Sequence, residues 1–220
     1  MDFKRITLLC GHYGSGKTNV ALNIAFLIKK CYNEVAIADL DIVNPYFRTK
    51  DSIKQLQDSG IKLIASEYAG TNVDIPALPQ EIYSLTDNKK LKAVIDVGGD
   101  DRGALALGRI APMIKQENDY ECLMVINKFR PLTPDALSTI EVMREIEAAG
   151  GIKFTGLVNN SNLARETTAN DILNSQSYAN EVSKLTGLPV RFTSVEQKFY
   201  KELQGKIPNL LPLMLQEKID

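Results

Sequence analysis

At 220 residues, 44% apolar and 24% charged, the chain has an ordinary globular composition and room for one well-buried core. Its formal net charge of −1 excludes a global electrostatic case for binding nucleic acid or an anionic membrane. No repeat, low-complexity stretch or linker divides it, so a single domain over residues 1–220 is expected.

The opening MDFKRITLLCG is too brief an apolar run for a secretory signal or a membrane span. Its residues 6–10 read as a buried strand. Cys10, Cys31 and Cys122 are an odd, widely spaced set with no C-x-x-C pair, which fits a reducing cytoplasm. Buried thiols acting as small hydrophobes are the expected state of all three.

The strand runs into GHYGSGKT at 11–18, which satisfies G-x-x-x-x-G-K-[ST], and an amphipathic helix over about 17–30 follows. Strand, glycine loop and helix are the context that pattern needs. Glycines let successive N–H groups turn inward around phosphates, and the helix N-terminus adds a positive dipole end. Gly11, His12, Tyr13, Gly14, Ser15, Gly16, Lys17, Thr18 and Asn19 are therefore the expected phosphate cradle. Lys17 would reach the β- and γ-phosphates, and the Thr18 hydroxyl would ligate Mg²⁺. The dinucleotide fingerprint G-x-G-x-x-G fails, because Gly14-Ser15-Gly16 is followed by Lys17-Thr18-Asn19.

A second strand, 34–39, leads into ADLDIVNP. Asp39 and Asp41 are two apart on an extended segment and so point the same way. One would help hold Mg²⁺ and the other would orient the attacking water, or one of them caps a turn. The span 50–90 is less regular, with IKLIAS suggesting a strand and IPALPQEIYSL a short helix. A strand over 92–97 ends in VIDVGG, placing Asp96 as a metal-binding carboxylate and Gly99 where backbone would approach the γ-phosphate. Arg102, just beyond, is a candidate for contact with phosphate or a partner, but reads first as a solvent residue.

Further strands are expected at 122–127, 154–159 and 189–195, with helices at about 102–116, 134–149, 167–186 and 197–204. This alternation implies an α/β fold: a P-loop NTPase with a three-layer α/β/α, doubly wound, mostly parallel sheet. The tail IPNLLPLMLQEKID is apolar, almost without basic residues and interrupted by Pro212; it reads as a helix packed on the core rather than a membrane anchor.

The loop at the first strand, the D-x-D after the second and the D-x-G-G strand end together resemble the deviant Walker A ATPases. That group includes the MinD and ParA proteins, the nitrogenase iron protein and the CobQ/CobB nucleotide-binding domain, and the resemblance covers roughly residues 5–195. It implies ATP and Mg²⁺ as ligands, Lys17 and Asp41 as catalytic, and Thr18, Asp39, Asp41 and Asp96 around the metal. In GLVNNSN it implies a purine contact from Asn160, with Asn159 second, although an Asn pair also simply forms turns. NKFR at 127–130 lacks the aspartate of a guanine motif. His12 and Tyr13 stand where the family has lysine and glycine, so the dimer-spanning lysine is missing. Either His12 contacts phosphate or a second subunit, or it is an uninvolved loop residue. Arg48 and Lys50 are candidate stand-ins for the charge, and Tyr46 and Phe47 candidate partner contacts.

The expected activity is a slow, Mg-dependent ATPase acting as a nucleotide-dependent switch, through an ATP-dependent homodimer or an unidentified protein partner. The alternatives are an ATP-dependent ligase activating a small carboxylic acid, like dethiobiotin synthetase or CobQ/CobB, and a metallocentre-insertion ATPase. The length fits a stand-alone synthetase but leaves no room for the glutaminase domain that CobQ/CobB proteins carry, and the chain offers no cysteine pair for metallocentre insertion.

Overall fold

A computed structural model of the chain describes residues 1–41, 50–65 and 80–215. Eight strands form one sheet in the order β3-β2-β4-β1-β5-β6-β7-β8, and every pairing is parallel. The strands are β1 (Ile6–Cys10), β2 (Val35–Leu40), β3 (Lys62–Ala65), β4 (Lys92–Val97), β5 (Tyr120–Ile126), β6 (Gly156–Asn159), β7 (Val190–Glu196) and β8 (Leu210–Leu213). The helices are α1 (Lys17–Lys29), α2 (Lys50–Asp58), α3 (Ser84–Asp87), α4 (Asp101–Glu117), α5 (Ala136–Gly150), α6 (Ala169–Thr186) and α7 (Gln197–Leu203).

Both faces of the sheet are covered, which is why the central strands read as unbroken apolar runs. Alternation along β1 sends Ile6, Leu8 and Cys10 to a core shared with Leu107, Ile140 and Val182 of α4, α5 and α6. Leu9 turns the other way, into a core with Val20, Ile24 and Ile28 of α1 and Leu56 of α2. The fold class expected from the alternation of elements is the observed one.

Two expectations fail, and one helix had none. The tail contributes β8, not a helix: Leu211 and Leu213 are buried, and Pro212 is tolerated because the strand is at the edge of the sheet. Helix α2 had no expectation, because Ile53 and Leu56 give too little apolar stripe to show a period. Cys31 is exposed at the end of α1, while Cys10 and Cys122 are buried as expected. Asn44, Tyr46, Phe47 and Arg48, and the side chains of Lys50 and Arg102, lie outside the described residues. Among those described, no helix is long and apolar enough to cross a membrane.

Candidate nucleotide site

Strand β1 is flanked by β4 and β5, so the loop that leaves it sits between the carboxyl ends of three strands. Gly16 takes φ 86°, a left-handed conformation, and a Cβ there would run into the Asn160 carboxamide; only glycine fits. Gly99, at the end of β4, makes a similar close approach: a Cβ there would lie 2.6 Å from Tyr13 N and 2.9 Å from Lys17 Nζ.

Helix α1 starts at Lys17 without a side-chain cap and with no acid in its first turn. Helices α4, α5 and α6, by contrast, are capped by Asp100, Asp135 and a Thr168–Asp171 capping box. The uncapped N–H groups of α1 face the loop and are suited to an anion. Lys17 is buried, and its Nζ donates to His12 O at 3.3 Å.

Across the loop, Thr18 Oγ1 donates to Asp96 Oδ2 at 2.6 Å. Asp96 pairs with Asp39 in the β2–β4 register, and Asp39 Oδ1 accepts from Asp41 N at 2.8 Å. The expected acids are thus gathered at one strand end, opposite Lys17 and Thr18. Burial pushes the Asp96 carboxyl up to about 6, against the opposing Lys17 charge and Thr18 hydrogen bond and with a small contribution from Asp41.

Four buried side-chain atoms among the described residues lack a hydrogen-bond partner: Ser15 Oγ, Asn19 Oδ1, Asp96 Oδ1 and Arg130 Nε. All four belong to the loop or to residues packed on it. Orphaned buried polar atoms are rare and costly, and gathering them in one place is the signature of a ligand site. The free Asp96 oxygen beside the Thr18 hydroxyl is a hard, anionic donor set of the kind Mg²⁺ takes, so these residues fit that ion.

Beside the loop lies a cavity of about 380 Å³. Its polar end is formed by Gly14, Gly16, Asn19, Arg130 and Asn160, and its apolar end by Ile172, Val195, Phe199, Leu213 and Leu215. Asn160 is tied down: Nδ2 donates to Ser15 O at 2.7 Å, and Oδ1 accepts from Ser194 Oγ at 2.8 Å. Asn159 is fully buried away from the cavity lining. Its Nδ2 donates to Ser175 Oγ, and its Oδ1 accepts from Ser161 N and Oγ.

His12 is half-buried, and its ring Nδ1 donates to Tyr13 O at 2.9 Å; the Tyr13 side chain is 62% exposed. Neither points to an established ligand contact. Sequence reasoning missed Arg130 and Ser194. Arg130 sits in NKFR, and its place four residues past the end of a strand beside the loop was the available signal.

Fold and loop together define the class: a P-loop nucleotide-binding protein. The sequence pattern of the CobQ/CobB/MinD/ParA nucleotide binding domain (CbiA) matches residues 6–174, and the chain belongs to that family. No curated protein matches the sequence significantly.

Among solved structures, chloroplast FtsY from Physcomitrella patens is similar at a TM-score of 0.58 and 16% identity, over 88% of this chain and 59% of that one. FtsY from Thermotoga maritima gives 0.55 and 19%, over 86% and 61%. The signal recognition particle 54 kDa protein from Aeropyrum pernix K1, in complex with GDP, gives 0.53 and 14%, over 87% and 41%. The chain spans less than two thirds of the length of each, and likeness at this identity speaks for the fold alone.

Proposed function

We propose that the protein binds ATP with Mg²⁺ and hydrolyses it slowly, as a nucleotide-dependent switch acting on a second copy or another partner. The observation that carries this reading is the Thr18–Asp96 contact of 2.6 Å, with its second carboxylate oxygen left free beside a buried Lys17.

In this reading the loop N–H groups and Lys17 hold the triphosphate, and Thr18 and Asp96 hold Mg²⁺, with Asp39 alongside. When bound, the ion neutralises charge on the phosphate oxygens. Asp41 orients the attacking water, and Gly99 lets backbone approach the terminal phosphate. The cavity receives the base: Asn160 and Asn19 at its polar end offer amide groups, while Val195 and Phe199 cover an aromatic ring. Asn159 supports that end from below by holding Ser161. His12 and Tyr13 complete the loop.

Lys17→Ala is expected to abolish ATP binding measured by calorimetry, and binding equal to that of the unchanged protein would sink the reading. Competition between ATP and GTP decides the base, the neighbour bound to GDP making GTP the natural rival. The switch is tested by ATPase rate against protein concentration, with and without small carboxylic acids. A rate per chain that climbs with concentration supports a dimerising switch. Phosphate release only in the presence of an acid replaces it with a ligase.

A further inference from the structure

Arg130 lies in the turn that leaves β5, and the turn is firmly held. Its N–H donates to Asn127 O at 3.2 Å, and its carbonyl accepts from Thr133 N at 3.0 Å. Thr133 Oγ1 adds a bond to Asn127 O at 2.9 Å, and Asn127 itself is fully buried. The Asn127 carboxamide in turn links to Asn162, in the loop after β6. A rigid turn therefore delivers the side chain.

That side chain lies along the phosphate loop. A Cβ placed on Gly14 would sit 3.4 Å from Arg130 Nε and 3.6 Å from its Cζ. Nε is buried without a partner, and the guanidinium makes no hydrogen bond or ion pair with any described residue. It also lines the polar end of the cavity, together with Gly14, Gly16 and Asn19. A guanidinium stays charged at any pH the protein meets, so a buried N–H of this group with no acceptor is a strongly unfavourable arrangement unless an anion arrives. Lys17 Nζ lies near Gly99, on the β4 side of the loop, whereas Arg130 approaches from the β5 side. The two cations flank the cradle.

We infer that Arg130 is a nucleotide-binding residue, donating from within the same chain to phosphate oxygens of the triphosphate held by residues 11–18. The inference rests on the reading of the loop as a nucleotide site and adds to it a second fixed cation. The free guanidinium edge and the adjacent N–H groups of the loop converge on one polyanion, which favours phosphate over the uncharged base as its partner.

The test is calorimetric titration of the full chain, in Mg²⁺ buffer, with ATP, with inorganic tripolyphosphate and with adenosine. Arg130→Gln is expected to weaken ATP and tripolyphosphate by about tenfold to a hundredfold, the loss typical of a charge-assisted hydrogen bond. Adenosine affinity stays unchanged, the melting temperature of the nucleotide-free protein holds or rises because the unpartnered charge is gone, and Arg130→Lys recovers part of the tripolyphosphate affinity as a point charge. The salt dependence of tripolyphosphate binding becomes shallower in the Gln variant.

Tripolyphosphate binding by Arg130→Gln within twofold of the unchanged protein overturns the inference while leaving the nucleotide reading intact. So does a loss shared equally by Arg130→Lys and accompanied by a lowered melting temperature, which would mean that Arg130 merely props the loop. If the unchanged protein binds neither ATP, GTP nor tripolyphosphate, the nucleotide reading falls and takes the inference with it.

Discussion

Asp96 sits at the proposed site against the interest of the fold. Its carboxyl is buried at a strand end, pushed up to about 6, and satisfied through only one of its oxygens. A carboxyl raised in the folded state contributes stability that is present in acid and lost as pH rises through about 6. At neutral pH the ionised group therefore destabilises the nucleotide-free protein, on the order of 2–3 kcal/mol. Asp96→Asn keeps an acceptor for Thr18 and removes the charge, so the nucleotide-free melting temperature should rise by several degrees. The additional stabilisation that Mg²⁺ gives over nucleotide alone should vanish in the same variant. Scanning calorimetry with and without Mg²⁺ checks both, and a lower nucleotide-free melting temperature would count against the account of Asp96. The gathering of that residue with Lys17, Thr18, Asp39 and Asp41 at one strand end was legible in the sequence, because their positions are written into short local patterns. Arg130 was not, since its meaning lies in a contact with Gly14, far away in sequence and created only when β5 pairs with β1.

Among the elements, legibility followed hydrophobic pattern. The buried parallel strands were readable because two covered faces demand continuous apolar runs. The edge was not: in β8, LLPL is short, and a proline that argues against a helix also argues against an inner strand, leaving the edge as the only place for it. Helix ends carry a prediction of their own. Asp135 accepts from Ser138 N at 3.0 Å and from its hydroxyl, and Asp171 accepts from the Thr168 hydroxyl and N–H. For Asp135 it is chiefly the Ser138 backbone bond, and for Asp171 the Thr168 hydroxyl, that holds the carboxyl below its ordinary value. The sign is opposite to that of Asp96: the capping contribution is full above the ordinary carboxylate range and is lost as pH falls through the lowered folded values. Asn caps helices nearly as well, so Asp135→Asn with Asp171→Asn should cost little at pH 7. Urea unfolding should then show a shallower loss of stability below about pH 4 than the unchanged protein gives. An acid limb identical in both proteins would remove these caps from the explanation.

Across the whole molecule, β1 divides the sheet: β2, β3 and β4 lie on one side and β5 to β8 on the other. The phosphate loop leaves β1 and touches both halves. Gly99 and Asp96 reach it from β4, Arg130 from the turn after β5, and Asn160 from the end of β6, where its Nδ2 donates to Ser15 O. The cavity carries the connection on to Ser194, Val195 and Leu213 of β7 and β8. A nucleotide bound in the proposed site would contact carboxyl ends from both halves at once, and its binding energy should be distributed along that whole edge. Hydrogen exchange with Mg²⁺ and ATP is thus expected to slow in four separated segments, around residues 11–19, 96–100, 127–131 and 159–162, with smaller slowing at 194–196. The amino ends of the same strands, held by contacts such as those of Arg5 with Glu117 and with the carbonyls of Leu85 and Leu91, should be unaffected. Slowing confined to residues 11–19 would mean that the loop binds phosphate alone and that the cavity takes no base. Slowing at β4 without β5 would leave Arg130 outside the site. Only protection on both sides of β1 fits a nucleotide that ties the two halves of the sheet together.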